Sequence, residues 1–274
     1  IKVADGQYRL QLKTIETGAD QNYTLGYGFT TPSFFSTAKL RIDAADIDGD
    51  GDTSDNPGVL TPLTGAGDIS GTTTIGTSGG SPNLDPNGQF TLPEIDFNGT
   101  NAALNPANNA AINTSVSTAK TFALAFTTGA DITGVQTIYE QGDADVGFAV
   151  YVAPDPGNGN APTLFAVARN NTWTAGNETK VLNLGTVAAS THYNVEVTFD
   201  ARANPTTNDP ANVFRGFVNG TLVDTETDVA EMDSHSGAIG VGGTVGDARL
   251  PDDTAFIGNG NYFQGAINEV LVFN

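Results

Sequence analysis

The chain has 274 residues, of which 38% are hydrophobic and 15% charged, and its 11 Lys and Arg against 31 Asp and Glu give a net charge of −20. This acidity argues against nucleic acid and membrane surfaces as partners, since both require basic patches. No apolar run approaches the roughly 18 residues of a membrane-spanning helix, which argues against membrane insertion. Cys is absent and His occurs twice, so disulfides and thiolate sites are excluded and a His-rich zinc site is disfavoured.

Alternation of apolar and polar residues predicts a series of short strands bounded by Gly, Pro, Asn and Asp. In chain order these are Tyr8–Lys13, Thr121–Phe126, Phe148–Val152, Leu164–Ala168, Tyr193–Phe199, Phe214–Val218 and Ala266–Phe273. Asn219-Gly220 predicts a hairpin turn between Phe214–Val218 and Thr221–Thr225, because both residues tolerate positive φ. Many short strands without a long helical segment predict an all-β sandwich or barrel.

Composition divides the chain near residue 91. We expect two or three strands over residues 1–40, and a long loop or insertion over 43–90, which is poor in large apolar groups and rich in Asp, Gly, Thr and Ser. The strand rhythm is continuous over about 92–274. The sequence therefore predicts a main domain over 92–274 and an N-terminal region, 1–91, that packs on it, extends it or reaches a neighbouring subunit.

Six segments stand out within residues 92–274, and they are Ile95–Ala102, Thr121–Phe126, Ile138–Tyr151, Tyr193–Phe199, Gly216–Val223 and Phe263–Asn274. In this order they resemble laminin-G-like domains of the concanavalin A-like lectin/glucanase superfamily. The resemblance implies an antiparallel two-sheet jelly roll. Alternation agrees with it, because it places Phe122, Leu124 and Phe126 on one face, which we expect to be buried against a second sheet. Asn268 departs from the Asp that is usual in the family.

The densest acidic segment is Asp46-Ile47-Asp48-Gly49-Asp50-Gly51-Asp52-Thr53-Ser54-Asp55. Its alternating carboxylates can surround one hard cation with oxygen ligands, and its start matches an EF-hand loop. Pro57 stands where the final Glu of an EF-hand would be, so Asp55 would have to close the loop. We predict that Ca²⁺ is bound by Asp46, Asp48, Asp50, Asp52 and Asp55, with a solvated acidic loop as the alternative.

A second group of acidic residues lies in predicted loops of the main domain. The group comprises Asp143, Asp145, Asp247, Asp252 and Asp253. The resemblance implies that such loops can hold calcium through a few Asp side chains. Surface turns are the alternative, because Asp is a common turn residue.

Sugar recognition commonly combines an aromatic face with polar side chains that fix hydroxyl groups. Trp173 follows Arg169 and Asn171 in a polar segment, which has this chemistry, while Tyr262 is a weaker candidate. The alternative for Trp173 is that its ring caps the core. The predicted ligand-binding residues are Trp173, Arg169, Asn171, Asp143, Asp145 and Tyr262.

Two patterns in the sequence suggest catalysis, but neither is complete enough to predict an active site. Glu94 and Asp96 have the spacing of paired carboxylates on one strand face, yet Asn98 stands where a glucanase pattern needs a further Glu. His235 between two serines invites a triad, but such a site is defined by geometry and no nucleophile elbow is present. We therefore predict a protein that is not an enzyme.

The sequence favours a calcium-binding module that recognises glycan or extracellular matrix. Its acidic, Cys-free and Lys-poor composition is typical of a secreted or cell-surface bacterial protein, and the start at Ile1 fits a processed protein or an excised fragment. The alternative is a structural subunit that self-assembles into a filament, sheath or surface layer through its N-terminal strands.

Overall fold

A computed structural model of the chain describes residues 40–43, 63–64, 74–79, 83–85 and 94–274. Antiparallel strands dominate these residues and form two large sheets, as the alternation predicted. Tyr8–Lys13 and the predicted calcium ligands Asp46, Asp48, Asp50, Asp52 and Asp55 lie outside the described residues. No helix in the described ranges is long and apolar enough to cross a bilayer.

Sheet 1 contains eight strands in the order β14-β13-β12-β7-β18-β5-β4, with β1 paired to β18. The bounds are β1 Leu40–Asp43, β4 Asn83–Asp85, β5 Glu94–Asn98, β7 Ala119–Thr128, β12 His192–Asp200, β13 Asp209–Val218, β14 Thr221–Val229 and β18 Gln264–Phe273. Asn219 and Gly220 both have positive φ in the turn between β13 and β14, so the predicted hairpin is confirmed.

Sheet 2 contains eight strands in the order β11-β10-β9-β8-β15-β6-β3-β2. The bounds are β2 Leu63–Thr64, β3 Thr74–Gly79, β6 Ala102–Pro106, β8 Gln136–Gly142, β9 Val146–Asp155, β10 Ala161–Asn170, β11 Thr179–Thr186 and β15 Ile239–Val241. A two-stranded ribbon, β16 Asp247–Arg249 and β17 Ala255–Ile257, lies in the connection between β15 and β18, and a 3-10 turn follows β9 at Pro156–Asn158.

The main core lies between the two sheets, and its centre is aromatic. Phe122 of sheet 1 lies 5.1 Å from Phe148 of sheet 2, measured between ring centroids, and Phe148 lies 5.2 Å from Phe199. Leu124 and Phe126 are also at most 3% exposed, so the inward face predicted for Thr121–Phe126 is confirmed. Burial of such apolar faces stabilises the sandwich by about 25 cal/mol per Å² removed from water.

The interval 43–90 differs from the single long loop that its composition predicts. Three short strands, β2, β3 and β4, lie within it, and β3 pairs with β6 over Ile75–Gly79. A strand added to an existing sheet is held by main-chain hydrogen bonds, which do not require large apolar side chains. The scarcity of such side chains therefore did not prevent strand formation.

The face of sheet 2 away from the main core is partly covered by the β16–β17 ribbon. Ala248 of the ribbon packs with Ala149, Tyr151 and Val167 in a second, smaller apolar cluster. Glu140, also close to the ribbon, is 1% exposed and accepts a hydrogen bond from the Val245 N–H at 3.0 Å. This layer fixes the ribbon close to the loops at one end of the sandwich.

Candidate functional site

Three loops form a polar cleft at one rim of the sandwich, which we call the rim cleft. They are residues 171–178 between β10 and β11, 201–208 between β12 and β13, and 230–238 between β14 and β15. The cleft has a volume of about 220 Å³. Its lining residues are Thr172, Trp173, Thr174, Pro205, Thr206, Thr207, Asn208, Ala230, Glu231 and Asp233.

Trp173 lines the rim cleft, but its side chain packs mainly in the core. Its side chain is only 5% exposed, and its ring stacks on Phe199 with a centroid distance of 6.1 Å and an interplanar angle of 3°. The indole N–H donates to the Glu231 carbonyl oxygen at 3.0 Å. The geometry matches the alternative in which Trp173 caps the core, and it corrects the prediction of an exposed platform for a sugar ring.

The main chain of Glu231 is fixed by hydrogen bonds to both its N–H and its carbonyl group. Its N–H donates to the Pro205 carbonyl at 2.7 Å, and its carbonyl accepts from Trp173 Nε1 and Asn170 Nδ2, each at 3.0 Å. Within the described part of the chain, its carboxylate makes no hydrogen bond or ion pair. The carboxylate is thus carried on a fixed backbone and is available to a ligand.

Hydroxyl and amide groups of the other two loops complete the polar wall. Thr172 Oγ1 donates to Asp233 Oδ2 at 2.7 Å. The N–H and hydroxyl of Thr174 both donate to Asn208 Oδ1, at 2.9 and 3.0 Å. Asn208 Nδ2 in turn donates to the Asp228 carbonyl. The cleft therefore has a preorganised set of oxygen acceptors and hydroxyl groups.

His235 supports the loop behind Asp233 and is 5% exposed. Its Nδ1 lies 2.9 Å from the Asp233 carbonyl, and its Nε2 lies 3.1 Å from Gln141 Nε2. Gln141 Nε2 also donates to the Ile112 carbonyl, which fixes the amide orientation, so His235 is neutral with its proton on Nδ1. Burial lowers the pKa of the imidazole below its usual 6.5. Both ring nitrogens of His235 thus contact groups of its own chain, the Asp233 carbonyl and the Gln141 amide.

Predicted ligand residues Arg169 and Asp145 meet in a separate arginine cluster, which comprises Asp145, Arg169, Thr179, Arg249 and Asp253. Arg169 Nη1 lies 3.5 Å from Asp253 Oδ1, which also accepts from Thr179 Oγ1 at 2.5 Å. Arg249 Nη2 lies 3.6 Å from Asp145 Oδ1. The cluster ties the β16–β17 ribbon to β10 and β11, so these side chains are engaged by their own chain.

The remaining predicted ligand residues lie in different places. Asp143 Oδ1 accepts from the N–H groups of Asp145 and Val146 at 2.7 and 2.8 Å, which makes it a turn residue. Asn171 is exposed beside the rim cleft and its N–H donates to the Asp145 carbonyl at 3.0 Å. Tyr262 lies over Gly243, close to Ala103. The structure does not bring Tyr262 together with Trp173.

The rim Asp residues do not fit a calcium site. Asp145 and Asp253 face arginine side chains, and Asp252 Oδ1 accepts from the Thr254 N–H and hydroxyl at 3.1 and 2.6 Å. Within the described ranges, no group of three or more His, Cys, Asp or Glu side chains is placed to hold a metal ion. The contacts of these Asp residues match the surface-turn alternative, and calcium binding at Asp46–Asp55, outside the described residues, stays a prediction.

Sequence reasoning missed Glu231, Asn208 and Arg249. No local motif marks them, because each gains its position from residues far away in the chain. Glu94 and Asp96, the carboxylates considered for hydrolysis, lie in β5 and do not line the rim cleft. A larger cavity of about 330 Å³ lies beside Phe165 and Leu250, but its walls are mainly apolar.

No family model matches the chain, and no curated protein is similar to it in sequence. Among solved structures, the binding domain of botulinum neurotoxin serotype D is similar with a TM-score of 0.53 and 12% identity, over 87% of this chain and 47% of that one. Domain 4 of AbnA, an extracellular arabinanase from Geobacillus stearothermophilus, has a TM-score of 0.47 and 12% identity, over 75% and 84% of the two chains.

The carbohydrate-binding module CBM40 of a Ruminococcus gnavus sialidase has a TM-score of 0.41 and 18% identity, over 58% of this chain and 77% of that one. At these identities the likenesses bear on the fold alone. Together with the two packed antiparallel sheets, the likeness to the neurotoxin domain identifies the chain as a jelly-roll β sandwich.

Proposed function

We propose that this protein recognises carbohydrate at the rim cleft and has no catalytic role. The observation that carries the proposal is the fixed backbone of Glu231, an acidic residue that lines the cleft together with Thr172, Thr174, Thr206, Thr207 and Asn208. Such groups exchange hydrogen bonds with sugar hydroxyls, and their rigid framework limits the entropy lost on binding.

The solved structures of similar fold are consistent with this proposal but do not carry it. The arabinanase domain was determined with arabinotriose and the sialidase module with α2,3-sialyllactose. We further propose a laminin-G-like relationship, a secreted or cell-surface location, and a role in adhesion to glycans or matrix. These rest on the order of the sequence segments and on composition.

Calcium binding at Asp46, Asp48, Asp50, Asp52 and Asp55 is part of the proposal and rests on the sequence alone. A cation bound only by the native state stabilises it by RT ln(1 + [L]/Kd), so a saturated site raises Tm. We expect thermal unfolding to show a higher Tm in millimolar calcium than in EDTA. Asp48→Asn with Asp50→Asn should abolish that difference, and an equal Tm in both buffers for the unsubstituted chain would refute the site.

A cleft-filling substitution tests the binding proposal directly. Thr206 lines the cleft and is exposed, so Thr206→Phe should block the cleft without disturbing the core. Thr221→Phe, at an exposed position in β14, is the matched control. The wild-type protein is screened on a glycan array and the best ligand is measured by calorimetry against each variant.

We expect Thr206→Phe to weaken binding by at least about tenfold, which is about 1.4 kcal/mol, and Thr221→Phe to leave it unchanged. Unchanged binding in Thr206→Phe would place the carbohydrate site elsewhere, with the cavity beside Phe165 as the next candidate. If the wild-type protein binds no glycan on the array, carbohydrate recognition is wrong.

A further inference from the structure

We infer that Glu231 makes the rim cleft selective for uncharged glycans and that it rejects glycans whose terminal sugar carries a carboxylate or sulfate. The inference rests on the proposed function and specifies its ligand class. It follows from the negative charge of the cleft, the fixed backbone of Glu231 and the ion pairs that the nearest arginines already form.

The charges that line the cleft have one sign. Glu231 and Asp233 are both acidic, and the described lining residues include no Lys, Arg or His. Recognition of an anionic sugar normally requires a cation or a cluster of N–H donors directed at the anion. An anionic sugar in this cleft would instead meet two carboxylates, and such like-charge contacts are strongly unfavourable at a partly desolvated surface.

The arginines on the flanking elements are already neutralised. Arg169, in the strand that leads to the first loop, lies 3.5 Å from Asp253 Oδ1. Arg202, in the second loop, pairs with Asp200 at 2.6 Å through its Nη2. Turning either arginine into the cleft would break an existing ion pair. The whole chain adds to the effect, since its net charge of −20 repels polyanions at low ionic strength.

Glu231 is better placed than Asp233 to impose this selection. Asp233 Oδ2 already accepts a hydrogen bond from Thr172 Oγ1 at 2.7 Å. The Glu231 carboxylate makes no such contact with a described residue, while its main chain is bonded to Pro205, Asn170 and Trp173. The carboxylate can accept hydrogen bonds from two sugar hydroxyls without first breaking a bond within the protein. Because the backbone of Glu231 is held in place, the residue as a whole cannot shift away from an approaching anion.

The test compares matched pairs of oligosaccharides that differ only by a terminal sialic acid or a sulfate group, presented on an array at low and at physiological salt. The proteins are wild type, Glu231→Gln and Glu196→Gln. Glu231→Gln keeps the size and an oxygen acceptor but removes the charge. Glu196, exposed on β12 and not a lining residue of the cleft, gives a control with the same change in net charge.

We expect wild type to bind the uncharged member of each recognised pair at least about tenfold more tightly, with a smaller preference at higher salt. Glu231→Gln should reduce that preference by severalfold, and Glu196→Gln should leave it unchanged. Equal or tighter binding of the anionic members would overturn the inference while leaving carbohydrate recognition intact. Equal effects of Glu231→Gln and Glu196→Gln would also overturn the inference, because they would attribute the preference to the overall charge of the protein. Absence of binding to every member would overturn the proposed function itself.

Discussion

The carboxylate of Asp224 accepts a hydrogen bond from the main-chain N–H of Asn183, at 2.8 Å from Oδ2. Asp224 lies in β14 and Asn183 in β11, the end strands of sheet 1 and sheet 2. Lys180 and Glu226 approach to 3.9 Å between the same two strands. A carboxylate of sheet 1 therefore accepts a hydrogen bond from a main-chain N–H in the end strand of sheet 2.

Removal of this contact should both weaken the fold and expose a sheet edge. We expect Asp224→Ala to lower the free energy of unfolding by about 1–2 kcal/mol, because a main-chain N–H loses a charged acceptor. Self-association should rise, since an unpaired strand edge can pair with another chain. Urea unfolding and analytical ultracentrifugation measure the two effects. Arg202→Ala, which removes an exposed ion pair with Asp200, is the control and should cost well under 1 kcal/mol.

Gly242 should tolerate no side chain. Its φ is +74°, and an added Cβ would lie 2.1 Å from the Phe97 ring, which is itself 3% exposed in the core. We expect Gly242→Ala to destabilise the protein by about 2–4 kcal/mol through backbone strain and overpacking. Gly134, where a Cβ would meet nothing within 4 Å, provides the control. Equal unfolding midpoints for the two variants would contradict the packing at Gly242.

His235 should make the fold sensitive to mild acid. Burial lowers its pKa below the usual 6.5, so the unfolded chain binds a proton more readily than the native one. Stability is then complete above pH 6.5 and falls as the pH drops through that value. Protonation also places an N–H against Gln141 Nε2. We expect wild type to lose more unfolding free energy than His235→Gln between pH 7.5 and 5.5, as measured in urea.

Three other ionisable groups influence His235, and their effects must be separated from its own. The positive charge of Lys120 further lowers its pKa, while Asp143 and Asp233 raise it. The slope of stability against pH should therefore flatten only when His235 is replaced. Parallel slopes for wild type and His235→Gln would show that another group is responsible.

Glu140 should have the opposite pH dependence. Burial raises its pKa well above the usual 4.5, and the charge of Asp247 raises it further. The native state then holds its proton more tightly than the unfolded chain, so stability is lost as the pH rises above 4.5. Glu140→Gln keeps an oxygen acceptor for the Val245 N–H. We expect its stability relative to wild type to improve from pH 5 to pH 8, whereas the exposed Glu196→Gln should show no such trend.

Trp173 provides a spectroscopic test of the corrected assignment, since it is the only tryptophan in the chain. Its side chain is 5% exposed and stacks on Phe199, so emission should be blue-shifted and iodide should quench it weakly. Trp173→Ala should cost about 3–5 kcal/mol of stability. Strong quenching by iodide, relieved by a bound glycan, would instead support a sugar platform.

The sheets could be predicted from the sequence because their signal is local. Alternation within Thr121–Phe126 and Tyr193–Phe199 marks the inward faces, and the structure confirms both as strands. The orientation of Trp173 could not be predicted in this way. The polar neighbours of Trp173 suggest exposure. The ring is instead buried by stacking on Phe199 and by a hydrogen bond to the Glu231 carbonyl, and only the tertiary fold brings these two groups to it.

The rim cleft illustrates the same limit at the level of function. No local motif marks Glu231, and its proposed role depends on main-chain hydrogen bonds to Asn170, Trp173 and Pro205. Aspartates attract attention as candidate calcium ligands, yet Asp145 and Asp253 prove to be partners of arginines. Residue type alone does not distinguish a ligand-binding carboxylate from one already used by the fold.

The bridge from Asp224 to Asn183 also limits how copies of this protein could assemble. Within the described residues, the opposite ends of the two sheets are β4 and β2, so the two ends of each sheet are not equivalent. Contact through one kind of edge, repeated by a twofold axis, closes after two copies and cannot propagate. Continuous growth requires a second, complementary surface on each copy. Twofold pairing of one kind of edge would therefore give a dimer, whereas a filament requires head-to-tail contact between two different surfaces of each copy.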